Sequence, residues 1–432
     1  MGRKQLFNTF ITILTRFGSK GINFVVFALI ARGLTPAEMS DYGFIFTTTL
    51  MIATVFDVGI RNSVAYYIGR DEKNSELYAT ATVNIFSVLS FICALSSIAC
   101  VVAWENNKDL LLLAGVAVNA VSLLFIRMGQ GVLIGKGQIA KFNQSELYPR
   151  VTLIFLTVLA YFLYNLNLEI CVFILAFSNM TGAALLFKLG RFKLNFSIAG
   201  ATEYYKILIG RGFLFMIGVV MMLLTKQASF FVIDYYDGGE VSGAFYASRR
   251  LTEVLTEVGL AVSVVLFSQN VRTSDVKASV ASASYYTKFS FSLFMFLTAL
   301  ALPLAKFIVP IALGHQYASH VYLFQIILIG TLIGTLWTIV YPTVSAISSP
   351  ITVCKIFLPN LVLSICISLV AHYFYGPNGV AWGFIVSNTV LSLSFLSYFK
   401  CQHGQTLRSF LIPSSSEVIA IFQNKKIRNK DE

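Results

Sequence analysis

The chain has 432 residues, of which 56% are hydrophobic and only 12% charged, and its formal net charge is +12. A soluble domain carries about 25% charged residues, so most of this surface must face lipid, in keeping with a mean hydropathy of +0.75. The basic residues are spread along the chain and not gathered on a soluble domain with a recognisable motif, which excludes nucleic acid as a partner.

A helix needs about 20 mostly apolar residues to cross a bilayer. By that measure spans are expected near 10–31, 42–66, 78–103, 110–134, 145–164, 169–188, 205–233, 242–268, 284–309, 320–345, 351–375 and 377–400. The MGRKQLF start leads into the first of these. Arg16 and Lys20 interrupt any signal-peptide core, so this segment is expected to be a retained helix. Short turns such as Asn165–Leu168 and Gly376–Gly379 imply tight antiparallel hairpins, and the stretch from Leu189 to Tyr204 reads as a linker. The expected organisation is a six-helix bundle over 1–190, a cytoplasmic linker at 191–204, a second six-helix bundle over 205–400 and a basic tail at 401–432.

Loop charges set the orientation. Arg3, Lys4, Arg70, Lys73, Lys136, Lys141, Arg150, Lys188 and Arg191 fall on one side with the C-terminal Lys and Arg residues; only Arg32, Lys108 and Lys306 fall on the other. The positive-inside rule places the first side, with both termini, in the cytoplasm.

The two halves also echo each other. DVGIRNSVA from Asp57 lies over EVGLAVSVV from Glu257, matching Val58, Gly59, Ser63 and Val64 to Val258, Gly259, Ser263 and Val264, while Gly43 matches Gly243. Chance similarity between apolar helices competes with duplication; a duplication would give parallel repeats about an axis along the membrane normal. Pro303, Pro310, Pro342, Pro350, Pro359 and Pro377 all lie in the second half, which is therefore expected to carry the bent helices.

Arg16, Lys20, Arg61, Arg127, Arg211, Lys226, Arg249, Arg250 and Lys288 fall within expected spans. Each costs roughly 2.5–3.5 kcal/mol at a helix centre. Arg211 and Lys288 lie near span ends, where snorkelling serves; the others need a wet cavity or internal partners. Asp57 with Arg61, and Arg249 with Glu253, are four apart and share a helix face. Arg16 and Lys20 also share a face, but no acid lies on their helix. Arg249 and Arg250 repeat that theme on the eighth span, offset only in part by Glu253 and Glu257. A cavity lined by Arg16, Lys20, Arg61, Arg249 and Arg250 suits a polyvalent anion such as phosphate or pyrophosphate. Asp57, Asp234, Glu253 and Glu257 are candidates for proton or cation coupling, with structural pairing as the competing role.

No phosphate-loop motif marks an ATPase, and the outward loops are too short to house catalysis, so the protein is not expected to be an enzyme. The four histidines make no metal spacing, and the six cysteines sit in or beside apolar runs as core residues. No cofactor or metal is expected.

The stretch from Val25 to Arg70, with Arg32, Leu34, Pro36, Glu38, Tyr42, Gly43, Asp57, Gly59 and Arg61, resembles the start of polysaccharide flippases, the O-antigen and capsule repeat-unit translocases of the multidrug/oligosaccharidyl-lipid/polysaccharide exporter superfamily. GGEVSGAFYASRRLTEVLTEVG from Gly238 to Gly259 echoes it in the second half. The resemblance implies an all-α polytopic membrane protein of about twelve transmembrane helices. They would form two six-helix bundles, V-shaped around a central cavity that works by alternating access. It further implies a polyprenyl-pyrophosphate-linked glycan as substrate, membrane lipid and other polysaccharide assembly proteins as partners, and a bacterial inner-membrane location. Alternatives are a drug or cation antiporter of the same superfamily, for which an acidic cavity is expected, and a membrane-embedded glycosyltransferase or polymerase.

Overall fold

The computed structural model describes Gly18 and residues 21–105, 109–193, 201–253, 276–348 and 350–411, and among them only helices, turns and short connections occur. The helices are α1 (Gly21–Gly33), α2 (Pro36–Phe56), α3 (Ile60–Arg70), α4 (Ser75–Glu105), α5 (Leu110–Gly135), α6 (Ile139–Leu163), α7 (Leu168–Gly190), α8 (Ala201–Tyr236) and α9 (239–253). They continue with α10 (Val276–Leu313), α11 (Val321–Ile347), α12 (Pro350–His403) and the short α13 (Arg408–Leu411). Among the described residues nine helices are long and apolar enough to cross a bilayer. The protein is an all-α polytopic membrane protein.

The 54 residues of α12 would reach about 80 Å at 1.5 Å per residue, far beyond a ~30 Å hydrocarbon core. The helix doubles back at Gly376, whose φ of 61° and ψ of −148° suit glycine alone. Beyond the turn, Gly379 packs on the Ala371 carbonyl and Gly383 on Ile367. The turn expected at Gly376–Gly379 is thus two antiparallel passes.

Contacts divide the chain into two units. Unit 1 comprises Met1–Leu251 and Val309–His320; unit 2 comprises Thr252–Ile308 and Val321–Glu432. In unit 1 the LTPAE stretch is a helix start. The Thr35 hydroxyl accepts from the Glu38 N–H at 3.3 Å, and the Glu38 carboxylate accepts from the Thr35 N–H at 2.9 Å. With Pro36 in the first turn this is a complete capping box, satisfying donors that lipid cannot. The Gln316 amide donates to the Ala31 and Leu34 carbonyls at 2.7 and 2.6 Å, and the Arg32 guanidinium donates to the Ile311 carbonyl, so the Val309–His320 strap closes over the end of α1.

A buried polar chain crosses the middle of unit 1. Asn179 donates to Asn119 at 2.8 Å, Asn119 donates to Thr49 at 3.1 Å, and the Thr49 hydroxyl donates to the Ile45 carbonyl at 2.7 Å, linking α7, α5 and α2. Such bonds average about 0.6 and reach about 2 kcal/mol between membrane helices. Replacing Asn119 with Leu breaks two of them and strands the Asn179 amide. A loss of about 1–2 kcal/mol is expected, read as a lower melting temperature in detergent; an unchanged melt would show that the chain carries no stability.

Unit 2 is built on α11 and the two passes of α12. Trp337, Phe357 and Phe395 pack ring on ring with centroids 5.3–6.3 Å apart, and the Trp337 indole N–H donates to Asn388 at 3.1 Å. Pro342 and Pro359 lie inside α11 and α12. Among the described residues a spanning segment is also interrupted in the first half. The expected single helix over 42–66 is two helices, α2 and α3, separated at Asp57–Gly59. The fifth span starts earlier than expected, so Lys141 belongs to α6 and not to a loop; Arg150, counted with the loop charges although inside the expected span, also lies within α6.

Candidate functional site

The break between α2 and α3 is built from backbone outward. Val58 (φ 47°) and Gly59 (φ 67°) both take the left-handed conformation, sparsely populated for a β-branched residue. Three glycines make it possible. Gly59 and Gly212 of α8 approach so closely that a Cβ on Gly59 would sit 2.0 Å from the Gly212 carbonyl oxygen, and one on Gly212 2.3 Å from that of Val58. From the α5 side, a Cβ on Gly131 would sit 2.4 Å from the Arg61 carbonyl oxygen, and Gly135 one turn on packs on Ile68. The GVLIG run of α5 is therefore a small-residue groove into which α3 is pressed. Arg211, next to Gly212, lays its guanidinium 3.5 Å from the Tyr66 ring centroid, fastening α8 to α3.

Asp57, 3% exposed, closes α2. Its carboxylate accepts from the Arg61 backbone N–H at 3.2 Å and stands 3.7 Å from the Arg127 guanidinium of α5. Sequence spacing pairs Asp57 with the Arg61 side chain on one continuous helix face; the break separates them onto two helices, and Arg61 reaches the carboxylate through its backbone. Around this pair lies a cavity of about 260 Å³ lined by Thr54, Asp57, Gly59, Arg61, Asn62 and Arg127, with Phe215, Met216 and Val219 of α8 as its apolar wall. Two guanidinium residues against one carboxylate, at the start of α3, make this an anion-favouring pocket.

Arg249 and Arg250 do not share a face. Adjacent helical residues point about 100° apart. Arg249, 6% exposed, donates to the Gln227 amide oxygen of α8 at 2.6 Å. Arg250 donates to the Tyr246 hydroxyl at 3.1 Å and lies 4.5 Å from the Phe46 ring centroid of α2. Arg150 of α6 stands within electrostatic reach of Arg250, Tyr42 and Glu146. Asp234 accepts from Ser40, Ser242 and the Trp104 indole at 2.5, 2.6 and 2.7 Å, so both carboxylate oxygens hold structural donors from α2, α9 and α4. Glu253 is half-buried at the end of the described part of α9. Arg16, Lys20 and Glu257 lie outside the described residues.

Sequence reasoning counted Arg127 among embedded cations without assigning it a role, and placed Arg150 in a loop. The signal for Arg127 was a lone cation inside an otherwise apolar span.

Among solved structures, the fold is similar to the lipid II flippase MurJ in its inward closed conformation, with a TM-score of 0.74 and 13% identity over 93% of this chain and 89% of that one. An inward-facing multidrug resistance MATE family transporter of the MOP superfamily gives 0.70 at 14% identity over 90% and 98%. A MOP superfamily transporter from Pyrococcus furiosus gives 0.66 at 13% over 92% and 94%. No curated protein sequence matches the chain at a significant level. The model of the polysaccharide biosynthesis protein family matches residues 6–267, more than half of the chain. The fold is therefore one shared with those solved structures, and the chain belongs to the polysaccharide biosynthesis protein family.

Proposed function

We propose that this protein is a flippase that moves polyprenyl-pyrophosphate-linked oligosaccharide repeat units from the cytoplasmic to the periplasmic leaflet of a bacterial inner membrane, for assembly of O-antigen or another surface polysaccharide. The observation that carries the reading is a group of basic side chains inside unit 1. Arg61, Arg127, Arg150, Arg249 and Arg250 are all buried or half-buried, with Asp57 and Glu146 as the acids beside them. A cationic drug would meet repulsion there, whereas a pyrophosphate headgroup is matched by guanidinium in charge and geometry. Both termini lie in the cytoplasm, and alternating access of the two halves carries the sugar across while the polyprenyl tail stays in lipid. Arg16 and Lys20 are assigned to capture of the headgroup with Arg61, Arg249 and Arg250. Asp57, Asp234, Glu253 and Glu257 remain the candidates for coupling, with Asp234 already holding three structural donors.

Complementation of a flippase-null strain tests this. Arg250→Gln is expected to lower surface glycan about tenfold or more, as loss of one charge-assisted contact implies, at unchanged protein level; Arg250→Lys is expected to be milder. Replacing both Arg16 and Lys20 with Gln should act like Arg250→Gln. Normal glycan from all of these at normal protein level would overturn the assignment.

A further inference from the structure

We propose that the crossing of α2 and α9 is a latch at the periplasmic end of this protein, with Asp234 as its bolt, and that it parts before cargo leaves on that side. What parting does for transport rests on the flippase reading; the latch itself rests on three contacts. First, the glycines that the two halves share at an offset of 200 residues mark the crossing from both sides. Gly43 of α2 receives the Tyr246 ring of α9, which would stand 2.7 Å from a Cβ there. A Cβ on Gly243 of α9 would run into the Pro36 carbonyl of α2 and stand 3.1 Å from the Ser40 nitrogen. Small residues allow such close approach between membrane helices. Second, the Asp234 carboxylate, near the end of α8, gathers donors from three other helices. Its Oδ1 accepts from Ser40 of α2 at 2.5 Å and Ser242 of α9 at 2.6 Å, and its Oδ2 from the Trp104 indole of α4 at 2.7 Å. Third, Phe44 of α2 stacks on Trp104 with centroids 5.0 Å apart and meets Phe231 of α8 at 6.1 Å.

Topology brings these contacts to one end of the bundle, where α2 and α9 begin and α4 and α8 finish. On that side the loop charges leave only Arg32, Lys108 and Lys306, which makes it periplasmic by the positive-inside rule. The contacts suit a joint that opens. One carboxylate holds three helices through short charge-assisted bonds, so its loss loosens all three together. Glycine has no side chain to interlock, and a ring or carbonyl resting on it can lift away without leaving a knob in a hole. Ser40 and Ser242 are 1% and 0% exposed in the closed crossing, whereas Asp234 is half-buried beside the exposed Tyr235, Tyr236 and Asp237. Water therefore replaces the partners of Asp234 as the crossing parts, and no charge is stranded.

A crosslink tests the latch. The Ser40 and Ser242 hydroxyls donate to one oxygen and so lie within about 5 Å of each other, close enough for a disulfide when both become cysteine. In a flippase-null strain Ser40→Cys/Ser242→Cys is expected to restore surface glycan while reduced. Oxidation should lower glycan at least about tenfold, the worth of one charge-assisted contact or more, and added reductant should bring it back. Thiols that fail to crosslink, or a crosslink that leaves glycan unchanged, would overturn the proposal. The second measurement is amide hydrogen exchange of the purified full chain in nanodiscs of phosphatidylethanolamine and phosphatidylglycerol. Asp234→Asn is expected to speed exchange about tenfold at residues 39–43 and 242–247, with the α5–α7 contact unchanged; Ser242→Ala should do so by less. If Asp234→Asn abolishes glycan with exchange at the wild-type rate, the carboxylate serves ion coupling and the latch assignment falls. Unmoved exchange in a protein that restores glycan removes the latch and leaves the flippase reading intact. Faster exchange in Asp234→Asn when even the wild-type chain fails to restore glycan does the reverse.

Discussion

Arg127→Leu will destabilise the folded protein by about 3–5 kcal/mol, the cost of breaking a buried ion pair from one side. The leucine itself suits an apolar span. The cost arises because Asp57, 3% exposed, keeps its carboxylate but loses its partner on α5. Asp57→Asn is expected to cost less, since the Arg127 side chain is 19% exposed and reaches a cavity that admits water. The double variant Asp57→Asn/Arg127→Gln removes both charges and is expected to recover most of the loss, giving a coupling energy above about 1 kcal/mol in a double-mutant cycle. Melting curves of the purified proteins in one detergent read the result. Additive effects, or single variants within about 0.5 kcal/mol of wild type, would mean that the pair contributes nothing to the fold.

The second large effect is at Gly59. Alanine there must hold φ near 67° and place its Cβ 2.0 Å from the Gly212 carbonyl oxygen. The left-handed conformation alone costs about 1–2 kcal/mol, and forcing α3 from α8 adds a further 1–3 kcal/mol or so. Gly137 provides the control, because it has φ 66° with nothing within 4 Å of an added Cβ. Gly137→Ala is therefore expected to show only the conformational cost. Gly212→Ala should show the steric cost without the left-handed strain. If all three variants melt together, the close approach of α3 to α8 is not what holds the break.

These two predictions rest on features of different visibility. The second span is expected only from residue 42, yet its start at Pro36 is marked locally by a capping box: Thr35, Pro36 and Glu38 lie within one turn and need no other helix. The Gly376 turn is local in the same way and was readable. The break at Asp57–Gly59 was not. Asp57, Arg61 and Asn62 make the second part of the expected span more polar than the first, but hydropathy registers burial in lipid, not the direction of the backbone. What opens the helix there is the approach of Gly212 and Gly131 from α8 and α5, and those partners lie far away in the chain.

Charge tells the same story. Composition alone shows that so many basic residues in an apolar chain must find partners or water, because a lone cation in hydrocarbon costs several kcal/mol. It cannot choose the partners. Spacing on a single helix favoured Asp57 with Arg61, and the tertiary structure adds Arg127 of α5 to that carboxylate. It also turned the neighbouring Arg249 and Arg250 toward Gln227 and Phe46 on different helices. The bilayer dictates through hydropathy how many helices form and which residues face lipid, so membership of the membrane class and the span pattern belong to the sequence by itself. Which buried charge meets which, and where a span breaks to make a cavity, depends on close packing between helices distant in the chain. Only the tertiary structure decides that.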